Sequence, residues 1–200
     1  MRRGLLLTVV LTLAVCALAT GQSAQAVSLE QYRAHVPIVL GPVGQGSGYY
    51  VRDHVQTVAH VVGTAPSVMV AGVHGRVLCA DVLTDSATVL PLIAGPSLPF
   101  ASWEPVPGER VTIAGWRGGV YREVVTVVVG YSARTEVEDH LGVIHVVGPV
   151  LHMLSDGTNL GGMSGGPILN RHGQVVATFF AWGVFETYAV PIDGAACRLK

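Results

Sequence analysis

The chain has 200 residues, 50% of them hydrophobic and 12% charged, and its 12 Lys and Arg against 13 Asp and Glu leave a formal net charge of −1. With no basic cluster beyond Arg2-Arg3, this balance excludes a nucleic-acid partner. The length suits one compact unit and leaves no room for a large accessory domain.

At the start, Met1-Arg2-Arg3 precede an apolar run from Leu5 to Ala19 and the small-residue site Ala24-Gln25-Ala26. This is the pattern of a secretory signal peptide over residues 1–26, cleaved to leave Val27 first. The run of 15 residues (5 to 19) is short for a bilayer span, which needs about 20, so no membrane contact is expected after cleavage. Val15 before Cys16 argues against a lipoprotein. The expected location is therefore exported, periplasmic or extracellular, where Cys79 and Cys197 have the chance to pair; the sequence leaves that pairing open.

The remaining 200 − 26 = 174 residues are valine-rich, broken by Gly and Pro roughly every 8 to 12 residues and nearly free of helical periodicity, the signature of an all-β sandwich or barrel. Strands are predicted at Ser67 to Val73, Arg110 to Ala114, Glu123 to Gly130, Val143 to Val147 and Gln174 to Phe180, several too continuously apolar to have a wet face. Prolines concentrated between Gly95 and Gly108 cannot donate to a sheet ladder. That segment divides an N-terminal half, 27–100, from a C-terminal half, 101–200.

Three stretches carry chemistry. Gly46-Ser47-Gly48-Tyr49-Tyr50-Val51 leads into Thr57-Val58-Ala59-His60, with His60 closing an apolar run. Asp85 follows, just before a predicted strand. Near the end, Gly161-Gly162-Met163-Ser164-Gly165-Gly166-Pro167 sets a serine among glycines that let successive N–H groups converge where an oxyanion develops. A serine hydroxyl needs a base to take its proton, and singly each signal is weak. A lone histidine is ordinarily a surface or core residue, as His35, His54, His74, His140, His145, His152 and His172 are read, and an aspartate before a strand is ordinarily a turn residue.

Together, in the order His, Asp, Ser, these stretches resemble the trypsin-like serine peptidases, most closely the exported bacterial endopeptidases of the HtrA (Deg) type. Thr57-Val58-Ala59-His60 matches that family's Thr-x-Ala-His. Asp81-Val82-Leu83-Thr84-Asp85-Ser86-Ala87 matches its Asp-x-x-x-Asp-x-Ala, and Gly162-Met163-Ser164-Gly165-Gly166-Pro167 its Gly-Asn-Ser-Gly-Gly-Pro. The stretches Gly108 to Gly115 and Tyr188 to Ile192 look like strands of its second barrel, so the resemblance covers roughly residues 40 to 193.

The resemblance implies two six-stranded antiparallel β-barrels with the active site in the cleft between them. It also implies a triad of His60, Asp85 and Ser164, an oxyanion hole from the N–H groups of Gly162, Met163 and Ser164, and peptide binding along Phe180, Ala181, Trp182 and Gly183. Thr158 would floor the pocket for the residue before the scissile bond and Ala189 would lie at its wall, favouring cleavage after Val, Ala or Ile in unfolded polypeptides. No cofactor or metal is implied, there being no His-Glu-x-x-His run; an oligomer is compatible with the stretch from Val27 to Leu40. Two departures stand out: Met163 replaces asparagine and withholds polar contacts from the loop, and Ser86 replaces an aliphatic residue that would pack beside Asp85.

Two other readings compete. Gly162-x-Ser164-x-Gly166 fits the nucleophile elbow of α/β-hydrolases, but that needs a following helix and a later Asp and His, whereas here a β-like run follows. A peptidase-like module that only binds extended peptides is the second, since fold alone does not establish activity.

Overall fold

The computed structural model describes residues 31–138 and 144–197. The expected signal peptide, 1–26, lies outside the described residues, as does His140. Among the described residues the regular secondary structure is almost all strand.

In the first half the strands are β1 (Ile38–Leu40), β2 (Gln45–Ser47), β3 (Tyr49–Val51), β4 (His54–Thr57), β5 (Ser67–Val70), β6 (Val73–Asp81) and β7 (Ser86–Pro91). They form one antiparallel sheet in the order β2-β1-β5-β6-β7-β4-β3. Its two outer members are separated in the chain only by Gly48, so the sheet curls until its ends meet and β2 and β3 act as one bent strand. In the second half β8 (Arg110–Arg117), β9 (Val120–Ser132), β12 (Val150–Leu154), β13 (Pro167–Leu169), β14 (Val175–Trp182) and β15 (Glu186–Pro191) close a barrel in the order β12-β15-β14-β13-β8-β9. A two-stranded ribbon, β10 (Thr135–Glu138) and β11 (Ile144–Val147), stands apart from it.

Where the expected strands differ, local backbone explains it. The run from Ser67 to Val73 is a hairpin rather than one strand, because Ala71 and Gly72 both take positive φ (49° and 82°) and reverse the chain in two residues. The strand expected from Glu123 to Gly130 has a wet face after all: Val125 and Val129 on β9 are exposed. By contrast β7 and β14 are buried along nearly their whole length. Between β7 and β8 the proline-rich run carries no named strand, only an isolated parallel bridge between Phe100 and Val175.

Three apolar clusters hold the chain together. One fills the first sheet and continues into the second half through Val150, Phe180 and Val190. A second fills the closed barrel around Leu151, Met153, Ile168 and Phe179. The third joins the halves through Tyr49, Leu98, Ala114 and Leu169. Cys79 and Cys197, 118 residues apart, form a disulfide that ties β6 to the segment after β15.

Candidate active site

His60 sits on a single helical turn, α1 (Ala59–Val62), directly after β4. Its backbone N–H donates to Asp85 Oδ1 at 2.9 Å, and its Nδ1 lies 2.7 Å from Asp85 Oδ2. A carboxylate only accepts, so Nδ1 carries the proton and Nε2 is left with its lone pair, the tautomer a general base needs. The imidazole side chain is 40% exposed and the Asp85 side chain 10%, so the base meets the cleft while the carboxylate behind it is nearly dry.

Asp85 takes a left-handed backbone, φ 42°, and the loop around it is heavily cross-tied. Asp81 Oδ1 accepts from the Thr84 N–H and hydroxyl at 2.8 Å each. Thr84 Oγ1 and Ser86 Oγ are 2.8 Å apart. From the C-terminal segment, the Ala196 N–H donates to Thr84 Oγ1 at 3.2 Å and the Cys197 N–H to Ser86 Oγ at 3.1 Å. Gln56 and Thr88 both donate to the Cys197 carbonyl. Ser86 is thus a buried junction and not a gap in packing: its hydroxyl couples the aspartate loop to the disulfide-anchored tail, at about 1 kcal/mol for each such bond.

Ser164 lies on a loop that both halves shape. Gly162 and Gly165 take φ of 88° and 89°, and a Cβ on Gly165 would fall on the Ser47 carbonyl. Sequence reasoning gave Ser47 no role, yet it is the hub here. Its N–H donates to the Ser164 carbonyl at 2.7 Å, its hydroxyl donates to the Gly162 carbonyl at 3.0 Å and accepts from the Trp116 N–H at 2.8 Å. Thr57, three residues before His60, donates to the Ser47 carbonyl at 2.7 Å. These bonds bring the histidine turn and the serine loop to one place; the signal available was the Gly46-Ser47-Gly48 triplet, where only a small polar residue fits between two close approaches.

Among the three N–H groups expected at the oxyanion hole, that of Met163 is withdrawn, because it donates to the Leu160 carbonyl at 3.0 Å. The N–H groups of Gly162 and Ser164 meet no acceptor among the described residues. The Met163 side chain is fully buried in the barrel core. It fixes the loop by packing where a polar side chain would fix it by hydrogen bonds. The Ser164 hydroxyl donates to the Phe180 carbonyl at 3.1 Å.

Phe180, Ala181, Trp182 and Gly183 run alongside this loop. β13 leaves β14 at Thr178, but the serine loop carries the pairing one residue further: the Phe179 N–H donates to the Gly166 carbonyl at 2.9 Å and the Phe179 carbonyl accepts from the Gly165 N–H at 2.7 Å. Ala189 is not at a pocket wall: its side chain is fully buried in the barrel core. Thr158 closes an exposed turn, its N–H and its hydroxyl both engaged by Asp156. The Thr158 hydroxyl first, and then its N–H, lower the Asp156 pKa.

No family model matches the chain, and neither does any curated protein. Solved structures do. The Rv3671c protease of M. tuberculosis, in a crystal structure of its inactive form, is 24% identical, with a TM-score of 0.67 over 83% of this chain and 87% of that one. The MamO protease domain of Magnetospirillum magneticum is 22% identical (TM-score 0.62; 80% and 93% covered). Deg5 is 19% identical (TM-score 0.62; 80% and 84% covered). The architecture is therefore the chymotrypsin-like fold of the trypsin-like serine proteases.

Proposed function

We propose that on this chymotrypsin-like fold the chain is a serine endopeptidase acting on extended segments of unfolded polypeptides. The observation that carries the reading is the His60 and Asp85 pair, bonded at 2.7 Å, on a turn tied through Thr57 and Ser47 to the Ser164 loop, whose Gly162 and Ser164 N–H groups are the donors proposed for an oxyanion. Ser164 turns its proton from the Phe180 carbonyl to His60 Nε2 and attacks the peptide carbonyl; His60 then passes that proton to the leaving amine. Asp85 holds the tautomer and stabilises the imidazolium, without itself being protonated. The N–H groups of Gly162 and Ser164 receive the oxyanion, each donor contributing about 100- to 1000-fold in rate. Substrate adds as a strand along Ala181 to Gly183.

Export fits the same reading. The leader pattern at 1–26 and the disulfide Cys79–Cys197 both suit an oxidising compartment. Among the described residues no helix is long and apolar enough to cross a membrane.

The hydroxyl's bond to the Phe180 carbonyl favours one other reading, a module that holds peptides without turnover. Labelling with a fluorophosphonate separates the two. The peptidase reading expects a covalent adduct that peptide mapping puts on Ser164 and that Ser164→Ala abolishes, together with hydrolysis of a denatured protein. An unlabelled wild-type protein that still binds extended peptides overturns it.

A further inference from the structure

Away from the Ser164 loop, three neighbouring strands of the closed barrel bring a second serine, histidine and carboxylate together. Ser132 ends β9, His152 lies on β12 and Glu186 begins β15, and β12 pairs with both of the others. Ser132 stands opposite Val150 and Glu186 opposite Leu154, so each lies a diagonal step from His152, two residues along the ladder. Side chains alternate along a strand, which puts all three on one face. It is the face turned away from the interior that Leu151, Met153 and Ala189 fill.

Ser132 Oγ is 2.7 Å from His152 Nε2, and Glu186 Oε2 is 2.8 Å from His152 Nδ1. The carboxylate only accepts, so Nδ1 carries the imidazole proton and Nε2 offers its lone pair. Thr135 Oγ1 lies 2.8 Å from Ser132 Oγ and 3.2 Å from Nε2. The shorter contact to the ring is the serine's, so Ser132 donates to Nε2 and Thr135 donates to Ser132 Oγ. A hydroxyl is thereby bonded to a base that a third group orients, the arrangement that activates a nucleophile. His60 and Asp85 repeat the base and carboxylate half of it at 2.7 Å.

Room for an electrophile lies directly across from the ring. Gly130 is the ladder partner of His152, and a Cβ there would meet nothing within 4 Å, so the β9 side of the imidazole is open. The His152 side chain is 19% exposed and that of Glu186 35%. β9, β12 and β15 each pair on both sides, which leaves no row of free backbone groups where an extended peptide could add as a strand. We infer that Ser132, His152 and Glu186 form a second activated-serine site, one that takes small activated carboxylic esters and not polypeptides. The Ser132 hydroxyl proton passes to His152 Nε2 as Oγ bonds to the acyl carbon, the ester C–O bond breaks, and the leaving oxygen takes that proton. Water then attacks the acyl-serine, giving a proton to Nε2 that returns to Ser132 Oγ as the acid departs. The inference goes beyond the peptidase reading and uses none of its residues.

The test uses the purified Ser164→Ala protein, from which the first nucleophile is gone. It is mixed with p-nitrophenyl acetate, nitrophenolate release is followed, and peptide mapping locates the acetyl group. Acetylation of Ser132 is expected, faster than that of the exposed Ser102. Adding His152→Gln should slow it about 100-fold or more, the lower end of what a positioned base contributes. Adding Ser132→Ala should remove the adduct, Glu186→Gln should slow its formation about tenfold or more, and Thr135→Val, which keeps nucleophile and base, should leave the rate little changed. No acetyl group on Ser132, or a rate that equals that of Ser102 and ignores His152→Gln, overturns the inference. Circular dichroism checks that each variant is folded; if His152→Gln is not, the isosteric Glu186→Gln makes the same comparison, and an unchanged rate there is equally decisive. Fluorophosphonate labelling of Ser164 in the wild type is scored separately, so either reading can fail without the other.

Discussion

Replacing Met163 with asparagine, the residue that the resembling bacterial endopeptidases carry there, is expected to weaken this protein and to disorder its serine loop. Met163 is fully buried among Leu160, Ile168 and Phe179, and its Cβ would lie 2.9 Å from any Cβ added at Gly115. Truncating a buried methionine costs about 2–5 kcal/mol through lost transfer energy and the cavity left behind. Asparagine refills some of that volume but brings an amide that its apolar neighbours cannot satisfy, which costs about 1–3 kcal/mol. The sum, about 3–8 kcal/mol before the refilled volume is discounted, is a large part of the 5–15 kcal/mol typical of a whole domain. At about 2–4 °C per kcal/mol for a chain of this size, the Tm should drop by roughly 6 °C or more. Thermal unfolding followed by circular dichroism measures this, with Met163→Leu as a volume-conserving control expected to cost less than about 1.5 kcal/mol. The fluorophosphonate labelling rate of the folded asparagine variant should fall as well, since Gly162 and Ser164 flank the changed residue. A Tm within 3 °C of wild type, or above it, would refute the argument that packing holds this loop.

Asp85→Asn should lower kcat about 10⁴-fold by favouring the wrong imidazole tautomer, with the fold retained; steady-state kinetics beside circular dichroism decides, and a loss under tenfold would count against the tautomer role. Ser47→Ala removes the hydroxyl that joins the Gly162 carbonyl to the Trp116 N–H and should cost about 1–3 kcal/mol, with slower labelling of Ser164; an unchanged rate would dissociate Ser47 from the loop. Converting both Cys79 and Cys197 to serine opens a loop of 118 residues, which the chain-entropy relation converts to about 4.9 kcal/mol, read as a lower urea midpoint; a shift below about 1 kcal/mol would contradict it. Burial first, and then Glu104 and Glu109, raise the Tyr131 phenol pKa above its ordinary value of 10.0. The folded protein therefore keeps a proton that the unfolded chain releases, so this contribution is intact below pH 10 and declines as pH rises above it. Tyr131→Phe should flatten that alkaline decline in urea midpoints between pH 8 and 11, and an equally steep decline in the variant would assign it elsewhere.

Several features were legible in the sequence because they depend on local chemistry. Valine-rich runs between Gly and Pro breaks point to strands, and the fold is all-β as expected from them; the pair of barrels was what the family resemblance implied. The glycines around Ser164 announced a loop of positive φ whatever the rest of the chain did, and Thr57-Val58-Ala59-His60 and the Asp85 segment were visible as spaced motifs. Where a single strand ended was less legible: Ala71 takes a positive φ that its side chain gives no reason to expect, and β9 keeps a wet face although its valines read as buried.

What only the tertiary structure decided concerns residues far apart in the chain whose partners no local pattern names. The pairing of Cys79 with Cys197, the tail bonds on Thr84 and Ser86, and the triple duty of Ser47 all join segments tens to more than a hundred residues apart. Registers decided the rest. On β15, side chains alternate between the barrel interior and the cleft side, so a one-residue difference sends Ala189 into the core and Tyr188 toward Gly183 and Phe180. That alternation, fixed by which strand β15 pairs with and invisible in a run as apolar as Tyr188 to Ile192, is what determines which side chains border the cleft beside Ser164.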